Sequence, residues 1–520
     1  MSAGISKRWY VRPAVPLAAL LAVCFACPLA ASDLIDAARN QDLGMVRTLL
    51  GEGVDPDARQ PDGATALHWA VHRSNLGMVN ALIEAGADVN AVNRLGASAL
   101  YIAAKSGQGE LIGRLLEAGA NPNLPLQMNE TPIMTASRSG TVAGVNSLIA
   151  AGAEVNVRED SRHQTALMWA AAQGHVEVGR ALIEAGADLE ARSRVRPMLM
   201  FADATNGGAF DQGVTENLGG YSPLLFAARE GHLEMARLLL NSGADVDGVA
   251  GNGSSPLVVA AHSGHTELAI ELLERGANAN SMGAGYTALH AAILRGDLAV
   301  VEALLDNGAD PNQRLLKANP VQRASEDWVL KSPLIGATPY WIAASFREPE
   351  IMTALADSGA DPMLTSEAQH RRLRSREERD NPPAPEVVGG FESAVQAAVR
   401  GDSTRQRYYV QANPDPEREE RLAVESVKVA ADHGINLDHT DFSGATALHD
   451  AAIRNLAGVV RELAGRGADI NVLDASGRTP LDLAIAAENR GPGILVLETP
   501  ERQGPSAREV LEELGALRSN

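Results

Sequence analysis

The sequence GATALHWAVHRSNLGMVNALIEAGADVNAV, residues 63–92, contains two short apolar helical patterns, a turn between them and a Gly-Ala-Asp stop. Similar stretches recur along the chain. Aligning the threonine of the TALH tetrad gives a first run at intervals of 33, 33 and 34 residues: Thr65, Ser98, Thr131 and Thr165. Later members of the series are Ser222, Ser255, Thr287, Thr446 and Thr479. A fixed period of this length predicts an array of stacked repeats.

Several recurring residues have a physical role in such a repeat. The Thr65 hydroxyl is placed to cap the first helix. The small Ala70 lets neighbouring helices approach closely, and Gly86 supplies the left-handed residue that ends the second helix. One unit of this size cannot bury its apolar face alone, so neighbouring units must stack.

These motifs resemble the ankyrin-repeat family. TALH occurs at Thr65, Thr287 and Thr446, and GHxE occurs at Gly174, Gly231 and Gly264. Gly-Ala-Asp/Asn closes each unit, for example at Gly86 and Gly119. The resemblance implies an all-α ankyrin-repeat solenoid, built of helix-turn-helix repeats with β-hairpin fingers. We expect about 11–12 repeats, including degenerate and capping units.

The repeat pattern also predicts the domain boundaries. The predicted segments are a signal peptide (1–32), repeats 1–5 (33–194), a finger insertion (195–219), repeats 6–8 (220–313), a second finger insertion (314–336), repeat 9 (337–363), a flexible linker (364–390), a degenerate expanded repeat (391–444) and the C-terminal repeats with their cap (445–520). Two long insertions at one structural position indicate a binding face, because insertions into repeats collect on one side of the array.

The N-terminus has the pattern of a secretory signal peptide. Lys7, Arg8 and Arg12 precede an 18-residue apolar run that ends at Ala31, and cleavage is expected near Asp33. We therefore expect an exported bacterial protein, periplasmic or secreted, similar to other exported ankyrin proteins. The alternative is a membrane-tethered spacer, since an uncleaved run of this length just reaches spanning length. Both cysteines of the chain lie in this leader, so thiol chemistry is excluded after cleavage.

Composition and motifs favour a binding protein over an enzyme. The formal net charge of −20 argues against nucleic acid as a partner, since that affinity comes mainly from Lys and Arg. HExxH, GxSxG and CxxC motifs are absent from the sequence. The histidines of the TALH tetrads, His68, His290 and His449, are interpreted as local hydrogen-bonding residues. We expect no cofactor and no bound metal; an enzyme with its site in the inserted segments is the remaining alternative.

Cations recur at the end of the first helix, which in ankyrin folds faces the concave groove. They are Arg39, Arg73, Lys105, Arg138, Arg229, Arg295, Arg400 and Arg454, with His72 and His262 beside them and Glu230 as one acid. A positive ridge on an acidic protein would steer an acidic protein partner. Favourable interaction with the helix dipole explains the same cations without any partner, and the two explanations are compatible.

The candidate partner-binding residues combine this ridge with aromatic residues of the fingers. They are Arg73, Lys105, Arg138, Arg229, Arg295, Arg454, Phe201 and Trp328. Trp69, Trp169 and Phe226 share the position four residues after the tetrad threonine, where core packing against the next repeat is expected. Trp341 occupies the usual histidine position and is expected to pack under the second finger. We expect a monomer that contacts a membrane only if the leader is uncleaved.

Overall fold

A computed structural model describes the backbone of residues 32–201, 213–319, 328, 330, 334–367, 391–401, 415–488 and 504–519. The predicted signal peptide, apart from residue 32, lies outside these residues, as does the predicted linker from residue 368 to residue 390. Internal contacts divide the chain into two compact units, Met1–Asp188 (unit 1) and Leu189–Asn520 (unit 2).

Paired short helices, one pair for each repeat, build both units. Within the described residues, unit 1 contains five pairs: 32–39 and Leu43–Gly51; Ala66–His72 and Leu76–Glu84; Ala99–Lys105 and Gly109–Glu117; Pro132–Ser139 and Val142–Ala150; Ala166–Gln173 and Val176–Glu184. A 3-10 turn at Gln127–Asn129 precedes the fourth pair. The described part of unit 2 contains seven pairs: Pro223–Glu230 and Leu233–Asn241; Pro256–Ser263 and Thr266–Glu274; Ala288–Arg295 and Leu298–Asp306; Pro339–Ser345 and Pro349–Asp357; Ala394–Arg400 and Pro416–Asp432; Ala447–Ile453 and Ala457–Gly465; Pro480–Glu488 and Ala507–Glu513.

Capping residues set the helix boundaries. The Ser98 hydroxyl accepts a hydrogen bond from the Tyr101 N–H at 3.1 Å, as an N-cap residue should. After the second helix of repeat 2, Gly86 adopts a left-handed φ of 86°. Gly231, with φ of 77°, serves close packing as well, because a Cβ there would lie 2.4 Å from the His265 imidazole of the next repeat. The GH dipeptide of the repeat therefore reflects both backbone conformation and stacking.

In several repeats the third residue of the first helix forms a hydrogen bond to the next repeat. In repeat 2 the His68 Nε2 lies 3.0 Å from the Ala97 carbonyl oxygen of repeat 3, and Nδ1 accepts from the Thr65 N–H at 3.1 Å. In repeat 10 the same position is Gln396, whose Nε2 donates to the Ala445 carbonyl. The Trp341 indole Nε1 donates to Glu392 O of repeat 10 at 2.9 Å, and packing of its ring under the second finger stays a prediction.

Asparagines of the closing motif form a second connection between repeats. In unit 1 the Asn90 side chain accepts from the Asn121 N–H at 2.7 Å and donates to Gly119 O at 3.1 Å. Asn123 makes the equivalent pair of bonds one repeat later, to the Glu154 N–H and Gly152 O. Backbone N–H and C=O groups that have no helical partner at the end of a second helix thus form hydrogen bonds with the asparagine side chain of the preceding repeat.

Both insertions of unit 2 leave the array at the turn that precedes a first helix. In the first insertion, Arg196–Phe201 pairs antiparallel with Gly213–Leu218. In the second insertion the Leu315 N–H donates to Ala337 O at 3.0 Å and the Gly336 N–H donates to Leu315 O at 2.8 Å. The two inserted segments therefore precede repeats 6 and 9.

Repeat 10 is expanded, and an arginine from repeat 9 holds it in place. Its second helix, Pro416–Asp432, is 17 residues long, against nine in the regular repeats. Arg347 donates to the Ala398 and Val399 carbonyls at 3.0 Å each, and to the Glu419 carboxylate at 2.8 Å. These carbonyls end the first helix of repeat 10, so the side chain acts as a C-terminal cap supplied by the neighbouring repeat.

Candidate partner-binding surface

Four of the first helices of unit 1 end in or are followed by a cation, and two of these cations lie over tryptophan rings. The Arg39 guanidinium lies 4.8 Å from the ring centroid of Trp69, in the next repeat. Gln60 holds this pair together, because its Oε1 accepts from Arg39 Nη2 at 2.9 Å and from Trp69 Nε1 at 3.2 Å. Arg39 also forms an ion pair with Asp36. The side chain is therefore fixed against the tryptophan ring and partly neutralised.

A second arginine–tryptophan pair lies three repeats further along unit 1. The Arg138 guanidinium is 4.6 Å from the Trp169 ring centroid, and Gln164 accepts from the Trp169 Nε1 at 3.0 Å. Arg138 also lies 3.5 Å from the Glu130 carboxylate. Since neighbouring helices pack at 8–10 Å, three repeat steps place the two pairs roughly 24–30 Å apart.

Two exposed cations lie between these pairs. Arg73 and Lys105 follow or end the first helices of repeats 2 and 3, and both are exposed. The Arg73 Nε donates to Arg39 O at 3.1 Å, and within the described residues neither cation forms an ion pair. We call Arg39, Trp69, Arg73, Lys105, Arg138 and Trp169 the arginine–tryptophan surface.

In unit 2, Arg229 and Arg295 are engaged within the protein. Arg229 pairs with Glu230 and lies 5.2 Å from the Phe226 ring centroid. Arg295 is half-buried, lies 4.5 Å from the Trp328 ring centroid and donates to Ser263 O at 2.7 Å. Trp328 is therefore held against repeat 8, where it shields one face of Arg295.

Arg400 must be removed from the predicted positive ridge. Its guanidinium contacts three carboxylates from different parts of unit 2: Glu392, Asp441 and Asp450. Burial raises the pKa of Asp450 to about 6, more than the adjacent Arg400 lowers it. This arginine is an internal charge that joins repeats 10 and 11. Arg454, by contrast, is exposed at the end of the first helix of repeat 11.

The remaining predicted site residues and site types are as follows. Phe201 ends the first strand of the inserted hairpin; its side chain, and the predicted contact made by it, lie outside the described residues. Among the residues that the structure describes, no group of three His, Cys, Asp or Glu side chains is suited to hold a metal ion. The same residues include no helix with both the length and the hydropathy needed to cross a bilayer.

Comparison with known families defines the class of protein. A family described as ankyrin repeats in three copies matches residues 34–125, 109–193 and 224–315. A second, described as ankyrin repeats in many copies, matches residues 430–484. Together these matches span more than half of the chain, so the chain belongs to the ankyrin-repeat family and the predicted all-α repeat fold is confirmed. Ankyrin repeats indicate a protein–protein interaction scaffold.

Individual relatives resemble only part of the chain. Neurogenic locus notch homolog protein 1 of Danio rerio is 40% identical over 80 residues, which is 15% of this chain and 3% of that protein. The crystal structure of the human ASB11 ankyrin repeat domain is 26% identical, with a TM-score of 0.38; the match covers 47% of this chain and 98% of that one. The chain thus spans a small fraction of the length of its curated relative.

Proposed function

We propose that this chain is an exported protein-binding scaffold that recognises an acidic segment of a protein partner through the arginine–tryptophan surface. The observation that carries the proposal is the recurrence of a cation at the end of the first helix, within its last turn or directly after it, in four consecutive repeats of unit 1. These cations are Arg39, Arg73, Lys105 and Arg138. Successive repeats therefore present a line of positive charge on a chain whose formal net charge is −20.

The tryptophans give this line the composition of a binding surface. Trp and Arg dominate the residues that contribute most to protein–protein affinity. Trp69 and Trp169 are half-buried, and Gln60 and Gln164 fix their indole N–H groups, so both rings are held rigidly. A rigid anchor loses little conformational entropy when a partner binds. Two such anchors at the ends of the line suit an extended partner segment.

Arg73 and Lys105 are the residues that would pair with the partner's carboxylates. Arg39 and Arg138 already lie beside Asp36 and Glu130, so their charges are partly compensated. The two central cations have no such neighbour among the described residues. Because they are exposed, we expect them to govern the association rate and its salt dependence more than the dissociation rate.

The experiment compares two charge-reversed proteins. After the partner is recovered from the envelope fraction and purified, its affinity is measured for wild type, for Arg73→Glu/Lys105→Glu, and for Arg47→Glu/Arg180→Glu. The control pair changes the net charge equally, but both of its residues lie on second helices. We expect the first variant to bind at least about tenfold more weakly at low salt and the control to bind within about twofold of wild type. Equal losses in both variants would show that only net charge matters.

Export is the second part of the proposal, and the basic, apolar and small-residue pattern of residues 1–32 supports it. N-terminal sequencing of the protein from a periplasmic or secreted fraction should begin near Asp33. A chain that keeps its leader and sediments with membranes would support the tethered-spacer alternative instead.

A further inference from the structure

The two insertions of unit 2 line a half-open cavity of about 180 Å³ over repeats 6 to 8. Met200 and Glu216 come from the first insertion, Lys317 and Asn319 come from the second, and Tyr221 and Tyr286 come from the repeats beneath. The Lys317 ammonium forms an ion pair with the Glu216 carboxylate, which joins the two insertions across the cavity. The cavity thus depends on both inserted segments.

The second insertion is held at the cavity by a polar cluster. The Trp328 carbonyl accepts a hydrogen bond from Asn319 Nδ2 at 3.0 Å and lies 3.1 Å from His262 Nε2, which is itself 2.9 Å from Asn319 Nδ2. Asn319 also accepts from the Leu330 N–H. His262 belongs to repeat 7, so this cluster fixes the insertion to the array. The wall of the cavity is therefore built into the fold.

The charges of the cavity are unevenly exposed. The Glu216 side chain is only 11% exposed, whereas the Lys317 side chain is 48% exposed. The carboxylate is therefore a fixed part of the wall, and the ammonium group reaches it on a flexible stem from the solvent side. Within the described lining, Glu216 is the one carboxylate. A buried carboxylate requires a positive partner, and a mobile lysine is a partner that a ligand can replace.

The aromatic residues around this carboxylate stay neutral. Burial raises the pKa of Tyr286 to about 12, although the neighbouring Ser254 hydroxyl lowers it, and burial also raises the pKa of Tyr221. Both phenol rings are therefore uncharged at physiological pH. Neutral aromatic faces attract cations, and the Met200 side chain adds a polarisable thioether.

We propose that this cavity binds a small organic ammonium ion, with Glu216 as its counter-ion and Lys317 as the internal group that the ligand displaces. A cavity of about 150 Å³ holds a benzene molecule, so this one has room for a trimethylammonium group with a short substituent. An anionic ligand would lie against Glu216. A neutral ligand that displaced Lys317 would leave the buried carboxylate unpaired.

The test uses choline and its neutral isostere 3,3-dimethylbutan-1-ol, titrated into the full chain by calorimetry and by ligand-observed NMR. We expect choline to bind and the alcohol to bind at least about tenfold more weakly. Lys317→Met should increase the affinity for choline by about tenfold, because the carboxylate then lacks its internal partner. Glu216→Gln should abolish choline binding in both backgrounds.

Two controls make each result decisive. Lys428→Met removes an equally exposed lysine from the second helix of repeat 10 and should leave choline binding unchanged. Since Lys317 is half-exposed, Lys317→Met is expected to fold even if Glu216→Gln does not, and thermal melts check both.

A trilysine peptide distinguishes a lysine side chain of a partner from a free ion, and tighter binding of the peptide than of choline would overturn the small-ion assignment. Equal affinity for choline and the alcohol, or no choline binding by Lys317→Met at millimolar concentrations, would overturn the proposal. The affinity of unit 1 for an acidic partner is measured independently.

Discussion

Replacing His68 and His290 by leucine, one at a time, separates two contributions of the same motif. In both repeats the imidazole Nδ1 accepts from the N-cap threonine N–H, at 3.1 Å in repeat 2 and 3.2 Å in repeat 8. His68 then reaches Ala97 O in repeat 3 through Nε2. The His290 Nε2 is buried without a hydrogen-bond partner in the described structure; the backbone of Gln313 approaches it, but no hydrogen bond forms.

The structure gives the size of the two effects. Each substitution removes one capping acceptor, which costs about 1 kcal/mol of the free energy of unfolding. His68→Leu also removes the bond to Ala97 O. That oxygen keeps its bond from the Asn93 N–H, so the further loss is about 0.5–1.5 kcal/mol. His290→Leu instead removes an unpaired buried nitrogen, whose burial costs about 1–3 kcal/mol, and the net change should be near zero. We expect a difference of about 2 kcal/mol between the variants.

Hydrogen exchange of the full chain, read by mass spectrometry, resolves this difference by repeat. Opening free energies of repeats 2 and 3 should fall in His68→Leu, while those of repeats 8 and 9 should stay close to wild type in His290→Leu. His72→Leu, which changes an exposed histidine of the same helix as His68, serves as the control. Equal destabilisation by the two buried substitutions would refute the assignment of an inter-repeat hydrogen bond to His68.

Three further predictions concern charge and stacking. Asp450→Asn should raise the free energy of unfolding at pH 7 by about 1–3 kcal/mol, because the folded pKa of about 6 lies above the ordinary value of 3.8 and ionisation is unfavourable in the folded state. In urea unfolding the gain should decline as the pH falls from 6 to about 3.8. Burial lowers the folded pKa of His290 to about 4, so the unfolded chain binds more protons than the folded chain between pH 6.5 and 4. The free energy of unfolding should therefore fall by up to about 3 kcal/mol as the pH is lowered across that range. His290→Leu should flatten this pH dependence of stability. Trp169→Leu should weaken partner binding by about tenfold, because Arg138 then loses its supporting ring, while a parallel melt checks that the fold is intact.

The repeat period and its capping residues were sufficient to predict the fold. Thr65 and Ser98 precede their helices as expected, and Gly86 ends one, because these preferences act over three or four residues of chain. The bonds made by Asn90 and by the Trp341 indole were not predicted. Each joins atoms about one repeat or more apart in sequence, so each depends on the stacking distance between repeats, which local propensity does not encode.

The sequence predicted where the cations of the candidate surface lie, but not which carboxylates neutralise them. The sequence correctly indicated cations at the ends of first helices, since that position recurs with the repeat. It missed Glu130 beside Arg138 and the three carboxylates around Arg400, because these acids come from other loops and helices. It also assigned Trp69 and Trp169 to core packing, whereas both rings are half-buried with an arginine against one face. In each pair the arginine lies about one repeat before the tryptophan in sequence, so their contact could not be predicted without the stacking geometry of the repeats.

Hydroxyl-radical footprinting of the chain with its purified partner tests the central claim most directly, because it reports side-chain contact residue by residue. We expect Trp69 and Trp169 to be protected upon binding, together with peptides that contain Arg73 and Lys105, while exposed Met45 on the second helix of repeat 1 keeps its reactivity. Protection confined to Met45 and other second-helix residues, with both tryptophans as reactive as in the free chain, would contradict the account.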